Sequence, residues 1–256
     1  MRPVCRMVTR PGPGRRGDEQ HLGCDPGHRV GRVSASVPRL APKPPRLEQA
    51  QGTSRRAQYS ASTKRALLDV AQDLFTEHGY AGTSLDAIVA GARVTKGALY
   101  HHFAGKQALF EAVFERVEHA ASKAVHDQIK GEQDPWLKAR AGLRAFLEVV
   151  RHPTYRRVVI QDGPGVLGYE RFREQEERST FSNVLVIVAS VLSTGPLEVD
   201  EPMQRTFARI FFGAMSSAGE SVSLAEDPEA ASDRVEAAIG IILDGLQALS
   251  GPTSDR

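Results

Sequence analysis

The sequence predicts an all-α protein: a helix-turn-helix head on a larger helical domain, behind a disordered basic leader. Three observations predict it. From Ser62 onward apolar residues recur at steps of three or four, the period of a helix with one buried face. Residues that start and stop helices punctuate that pattern at regular intervals. Neither an Asn-Gly hairpin signal nor sustained apolar–polar alternation interrupts it. The 256 residues, 41% apolar and 25% charged, suit one or two globular domains. Two cysteines, Cys5 and Cys24, exclude a disulfide scaffold. No apolar run reaches the roughly 18 residues of a membrane helix; the longest strong run, Val184–Leu192, is nine residues with Ser190 inside it. The opening MRPVCRMVTR lacks the apolar core of a signal peptide, so a cytoplasmic protein is expected.

The leader, residues 1–59, is rich in proline and glycine, as in PGPGRRG (11–17) and PRLAPKPPR (38–46), and has no periodic apolar face. A translation start placed too far upstream would give the same composition. Residues 1–60 carry twelve Lys/Arg against four Asp/Glu, a net of +8, whereas residues 61–256 carry a net of −6. This asymmetry suits an arm that touches a polyanion, with Arg55 and Arg56, nearest the head, reaching a minor groove. His21, Cys24, His28 and Cys5 are potential metal ligands. Their spacing fits no common zinc pattern and no apolar residues surround them, so no metal is expected.

The first helix runs through Leu67, Ala71, Leu74, Phe75 and His78, with Thr63 as its cap. Gly79 ends it in a left-handed turn and Tyr80 folds back. Thr83–Ser84–Leu85–Asp86 has the form of a capping box, in which the threonine hydroxyl caps a short second helix and Asp86 reaches back. Leu85, Ile88 and Val89 form its inner face and Gly91 ends it. Thr95 caps a third helix, Lys96 to about Phe103, with Val94 and Leu99 forming a hydrophobic staple. Leu99 and Phe103 share the inward face and leave Lys96, Gly97, Tyr100 and His101 outward. A fourth helix opens at Lys106 and runs through Val125. Further helices follow: one through Trp136 and Val150, a short one at Tyr155–Ile160, a long one from about Gly165 to Leu192, one opened by Pro202 and one by Pro228.

Two short helices across a tight turn make a helix-turn-helix, whose second helix is shaped to read a DNA major groove. From Arg93 to Lys106 there are three basic residues and no acidic one. A cation at a helix N-terminus, as Lys96 is, calls for a nearby anion such as a phosphate. Gly97 allows a close backbone approach. Tyr100 offers a hydroxyl to phosphate or its ring to a thymine methyl. The helix starts near Ser84 and Lys106 present free N–H groups to phosphate.

These residues resemble a known family. Phe75, Gly79, Tyr80, Thr83, Ile88, Val94, Thr95, Lys96, Gly97, Leu99, Tyr100, His102, Phe103, Lys106 and Leu109, within residues 67–115, match the signature of the TetR-like (tetracycline-repressor-like) bacterial transcription regulators. The basic leader departs from that pattern. The resemblance implies a head at residues 60–110 and an effector-binding and dimerisation domain at 111–250. It implies a homodimer whose third helices enter successive major grooves of a palindromic double-stranded DNA operator, most simply as a repressor released by an unidentified small-molecule effector. Ser84, Thr95, Lys96, Gly97, Tyr100, His101 and Lys106 would contact DNA. Trp136, Phe146, Tyr155, Gln161, Phe172, Phe207 and Phe211 would line the effector pocket, with Asp162 a further polar candidate. Small residues Gly213, Ala214, Ser216, Ser217 and Ala218 would let Met203–Ser223 and Ala231–Leu249 form a four-helix bundle across a two-fold axis, or else pack within one subunit.

Two other readings compete. Gly163, Gly165 and Gly168 match the G-x-G-x-x-G of an NAD(P)-binding enzyme, after Val158–Val159–Ile160 as a strand. Against it, that apolar run is three residues long behind Arg156 and Arg157, and a helix end at Gly163 with Pro164 starting the next helix accounts for the glycines. The other is a helical interaction module that never meets DNA. No nucleophilic triad stands out, so no catalytic residue and no cofactor is assigned.

Overall fold

The computed structural model describes residues 48–195 and 199–250, all within one unit, Leu47–Arg256. Among them every regular element is helical, as the sequence predicts. Ten α-helices follow in order: α1 (Glu48–Gly82), α2 (Leu85–Ala92), α3 (Lys96–His102), α4 (Lys106–Ile129), α5 (Pro135–Arg151), α6 (Gly163–Leu167), α7 (Tyr169–Ser179), α8 (Phe181–Leu192), α9 (Glu201–Leu224) and α10 (Pro228–Ser250). Between α5 and α6, Tyr155–Asp162 winds as a π-helix.

Four expectations are corrected. Helix α1 begins at Glu48, so residues 48–59 of the predicted leader are helical and Thr63 lies inside the helix instead of capping it. The long helix expected from Gly165 to Leu192 is three helices. It is broken at Gly168, whose φ of 77° and ψ of 161° leave the helical region, and again at Thr180. Apolar periodicity misses both breaks because only Tyr169 and Phe172 are apolar between Gly168 and Thr180, too few to register a change of phase. Val158–Ile160 are π-helical and no strand precedes Gly163, which removes the context that a dinucleotide-binding turn requires. The potential metal ligands of the leader lie outside the described residues.

Caps explain several boundaries. The Asp134 carboxylate accepts from the backbone N–H groups of Trp136 and Leu137, both at 2.8 Å, with Pro135 in the first turn of α5. Asp200 does the same for Met203 at 2.9 Å, ahead of Pro202 in α9.

Helix α4 is the spine. On one side Leu109, Phe110 and Val113 are buried against Leu67 and Phe75 of α1, Ile88 of α2, and Leu99 and Phe103 around α3. The Phe110 ring meets Phe75 and Tyr80 edge-on, each with centroids 5.2 Å apart. Such pairs contribute roughly 0.5–1.5 kcal/mol each beyond their burial. The same core continues through Phe114 and Val117 to Leu143, Leu147, Val150 and Val158 in the body.

Towards α7 and α8 the surface of α4 is polar. Arg171 donates to Glu111 (2.5 Å), Gln175 to Glu115 (2.7 Å), Thr180 to Glu118 (2.9 Å) and Asn183 to the carbonyl of Ser122 (2.9 Å). The rungs advance together along both elements, so the chains run side by side in parallel.

Candidate nucleic-acid interface

The site is built on the turn between α2 and α3. Ser84, one residue after the expected cap, closes the N-terminus of α2 by accepting from the Ala87 N–H at 3.1 Å. The buried Thr83 hydroxyl instead donates to the carbonyls of Leu74 (3.0 Å) and Gly79 (2.8 Å), tying α2 to the end of α1. Gly79 has φ 71° and ψ 174°, a positive φ as expected but an extended ψ, so it turns the chain without forming a left-handed helical cap. The left-handed residue of the head is Arg93, φ 54° and ψ 42°, which closes α2 with its N–H on Ala90 and Val89. Gly91 serves another purpose: a Cβ there would come within 2.7 Å of Val70 Cγ1, so its bare backbone lets α2 pack on α1.

Thr95 caps α3 as predicted, accepting from Ala98 at 3.1 Å. Leu99 and Phe103 are buried. Thr95, Lys96, Gly97, Tyr100 and His101 are all exposed, and Tyr100 presents 57% of its surface. Only Thr95 Oγ1, at 3.8 Å, would lie near a Cβ at Gly97, and its φ is not positive. Packing therefore gives no reason for a glycine that costs an exposed helix about 1 kcal/mol relative to alanine. His102 is half-buried, and burial, with the charges of His101 and Lys64, lowers its pKa below the usual value for histidine. It is therefore mostly neutral near pH 7.

The anion next to Lys96 is Asp86, whose Oδ1 lies 2.6 Å from Nζ. Sequence reading assigned Asp86 to the capping box and so missed this pair. The hydrogen bond and charge of Asp86 raise the Lys96 pKa and keep the ammonium charged. Ser84, Leu85, Asp86, Val89, Lys96, Leu99 and Tyr100 line an open depression of about 230 Å³ between α2 and α3. At the start of α4 no side chain caps the free N–H groups, and Lys106 Nζ lies 4.3 Å from the centre of the Tyr80 ring. An exposed rod with a cationic end and free hydroxyls is suited chemically to phosphates and base edges.

The body holds the head from behind. Tyr80 N–H donates to Asp162 Oδ2 at 2.7 Å, and Gln107 Nε2 donates to the Val166 carbonyl at 2.9 Å. Arg157, 3.5 Å from Asp162, lies where any Cβ at Gly79 would collide with it. Asp162 is thus engaged with the head rather than with a pocket.

The seven residues expected to line one effector pocket do not come together. Trp136 packs with Ala139 and Leu243; Phe207 and Phe211 join Phe181 and Phe212; Phe146, Tyr155 and Phe172 sit on the main core. Gln161 is exposed and accepts from Arg157 at 3.2 Å. Helical spacing sends large aromatics inward on every helix, and these helices face different neighbours. A buried polar group lies nearby instead. Glu118, 2% exposed, accepts from Ser179 and Thr180 through Oε2, while Oε1 has no hydrogen-bond partner. Burial pushes its carboxyl up, and burial together with Glu118 pushes Glu176 up to about 7. Sequence holds a signal for Glu118: it stands four residues after Phe114 and three before Ala121, on the apolar stripe of α4.

Comparisons with known proteins agree with this architecture. Residues 67–113 match the model for bacterial regulatory proteins of the tetR family, and residues 136–246 match a tetracyclin repressor-like C-terminal domain. The chain is 34% identical over 105 residues to the HTH-type transcriptional regulator AcrR of Shigella flexneri, covering 41% of this chain and 49% of that one. It is 46% identical over 55 residues to the Transposon Tn10 TetC protein of Escherichia coli, covering 22% and 28%. The match spans half or less of the length of these relatives. A crystal structure of a TetR-family transcriptional regulator from Pectobacterium atrosepticum superposes with a TM-score of 0.65 at 28% identity, over 74% of this chain and 96% of that one. Another from Streptomyces coelicolor gives 0.59 at 20% identity, over 76% and 95%, a likeness of fold. Among the described residues no helix is long and apolar enough to cross a membrane. With a matching head, a matching C-terminal domain and a shared fold, the chain belongs to the TetR family of bacterial regulatory proteins.

Proposed function

We propose that this chain is a homodimeric, cytoplasmic, DNA-binding transcriptional regulator, a repressor released from a palindromic operator by a small-molecule effector. The observation that carries the reading is the outward face of α3. Leu99 and Phe103 anchor the helix while Thr95, Lys96, Gly97, Tyr100 and His101 stand free of the core. Ser84 and Lys106 flank it as phosphate contacts.

Dimerisation is supported by an apolar surface that one copy leaves open. Ile210 is 62% exposed, Ile241 73% and Leu249 79%, and a Cβ at Gly213 or Gly245 would meet nothing within 4 Å. Two copies pairing α9 and α10 would bury these residues in a four-helix bundle. Half-sites would then lie about one helical turn apart, or a multiple of it. Effector release is supported by the hold of Asp162 and Val166 on the head. A ligand that favours another arrangement of the body would change head spacing and operator affinity together.

Selection of bound duplexes from a random pool is expected to return a palindrome. On it Tyr100→Ala should cost about 1–3 kcal/mol of binding. Lys96→Ala should weaken binding to all sequences alike and lower the salt slope by about one. Wild-type chain that retains no duplex in a salt-dependent way would overturn the reading.

A further inference from the structure

The first turns of α1 take no part in the interface described so far. Among the described residues, core burial in α1 begins at Leu67, and Arg55 through Tyr59 are exposed. Residues 49–68 contain Arg55, Arg56, Lys64 and Arg65 and no acidic residue. Among the described residues, the carboxylate partner within this group belongs to Arg65, which faces Asp69 at 3.9 Å. Lys64 fixes where the stretch lies: its Nζ is 5.8 Å from the ring centre of Phe103, at the C-terminal end of α3. Eight residues on a helix turn through about 80° beyond two full turns, so Arg56 lies within a quarter turn of Lys64 around the axis of α1. Arg65 lies about opposite Arg56. The exposed turn Arg55–Tyr59 gains nothing from the core, and neighbouring cations on it repel one another. A polyanion relieves both.

We propose that Arg56 and Lys64 form a second DNA contact, in which the N-terminal turns of α1 lie as a rail along phosphates flanking the half-site read by α3. This rests on the reading of α3 given above. The minor-groove arm that the sequence suggested does not fit a helix: with side chains a helix is about 10–12 Å across, and the minor groove is about 6 Å wide. Contact is therefore with the backbone, and carries no base information. Arg56 and Lys64 are about 12 Å apart along the axis, more than three base-pair steps of about 3.4 Å.

The test uses the full chain and the palindrome recovered by selection, in two duplexes: one with about a helical turn of flank beyond each half-site, one trimmed at the half-sites. On the long duplex Arg56→Gln should lower the slope of log affinity against log salt by about 0.9 per chain, equally for all flank sequences. Arg65→Gln should leave that slope unchanged. On the trimmed duplex Arg56→Gln and wild type should bind alike. An unchanged slope for Arg56→Gln on the long duplex, equal losses on both duplexes, or a loss that depends on flank sequence would each overturn the rail while leaving the α3 reading intact. If wild type binds no duplex specifically, both fail. Helicity by circular dichroism should match between variant and wild type, since arginine and glutamine have similar helix propensity.

Discussion

Helix α4 makes two interfaces on opposite principles. Against the head it presents Leu109, Phe110 and Val113, all fully buried, and the polar groups of α2 and α3 are left outside. Against α7 and α8 it presents Glu111, Glu115, Glu118 and Ser122, each in a hydrogen bond, with Glu118 sealed from solvent. Apolar burial is nearly indifferent to pH and only weakly dependent on ordinary salt. A buried polar seam depends on the protonation state of its members. The head is thus an apolar mount for an exposed helix, while the wall of the body is the part whose strength solution conditions can adjust.

The contrast is broken most strongly on the apolar side. Leu99→Ala, at a site 1% exposed, should destabilise the protein by about 2–5 kcal/mol in urea denaturation, because it leaves a cavity beneath α3. A cost below about 1 kcal/mol would mean that α3 is not held by this anchor.

On the polar side the effect follows pH. Glu176 is pushed from 4.5 up to about 7, and Glu118 is raised in the same direction. Between those values the folded chain keeps a proton that the unfolded chain has released, so stability falls as pH rises through the window. For Glu176 alone the fall amounts to as much as about 3 kcal/mol. Urea midpoints measured at about pH 5 and about pH 8 should show it, and Glu176→Gln should flatten much of the dependence. Rising stability over this range would contradict the buried carboxyls. The neighbours that share the balance are Tyr155, itself kept protonated by burial, and Arg173 and Ser216, which favour the charged form of Glu176.

The smallest effect sharpens the comparison within the head. Arg93 holds a left-handed conformation that glycine adopts without steric cost. Arg93→Gly should raise stability by up to about 1 kcal/mol in the same assay; a loss would assign Arg93 a contact that outweighs its strain.

Sequence made the head readable because its signals are local. Thr95 caps within three residues, Leu99 and Phe103 share a face by spacing alone, and exposure of Tyr100 follows from theirs. Where a choice depended on distant atoms, sequence was silent. Thr83 and Ser84 could each have capped α2; carbonyls of Leu74 and Gly79 draw the Thr83 hydroxyl away. Gly91 looked like a helix stop, but Val70 across the interface explains it. Asp86 and Lys96 stand ten residues apart on different helices, a separation with no periodic signature. The scattering of the seven aromatic and polar candidates has the same origin: burial of a side chain is legible from its own helix, whereas its companions are set by how helices cross.

The hydrogen bond from Tyr80 to Asp162 also orders events during biosynthesis. Its partners are 82 residues apart. At roughly 5–20 residues per second, a ribosome releases the turn before α2 about 4–16 seconds ahead of the carboxylate that completes it. Until then a nascent chain carries α2 and α3 without the rear support of that hydrogen bond, which arrives only once Asp162 has been translated.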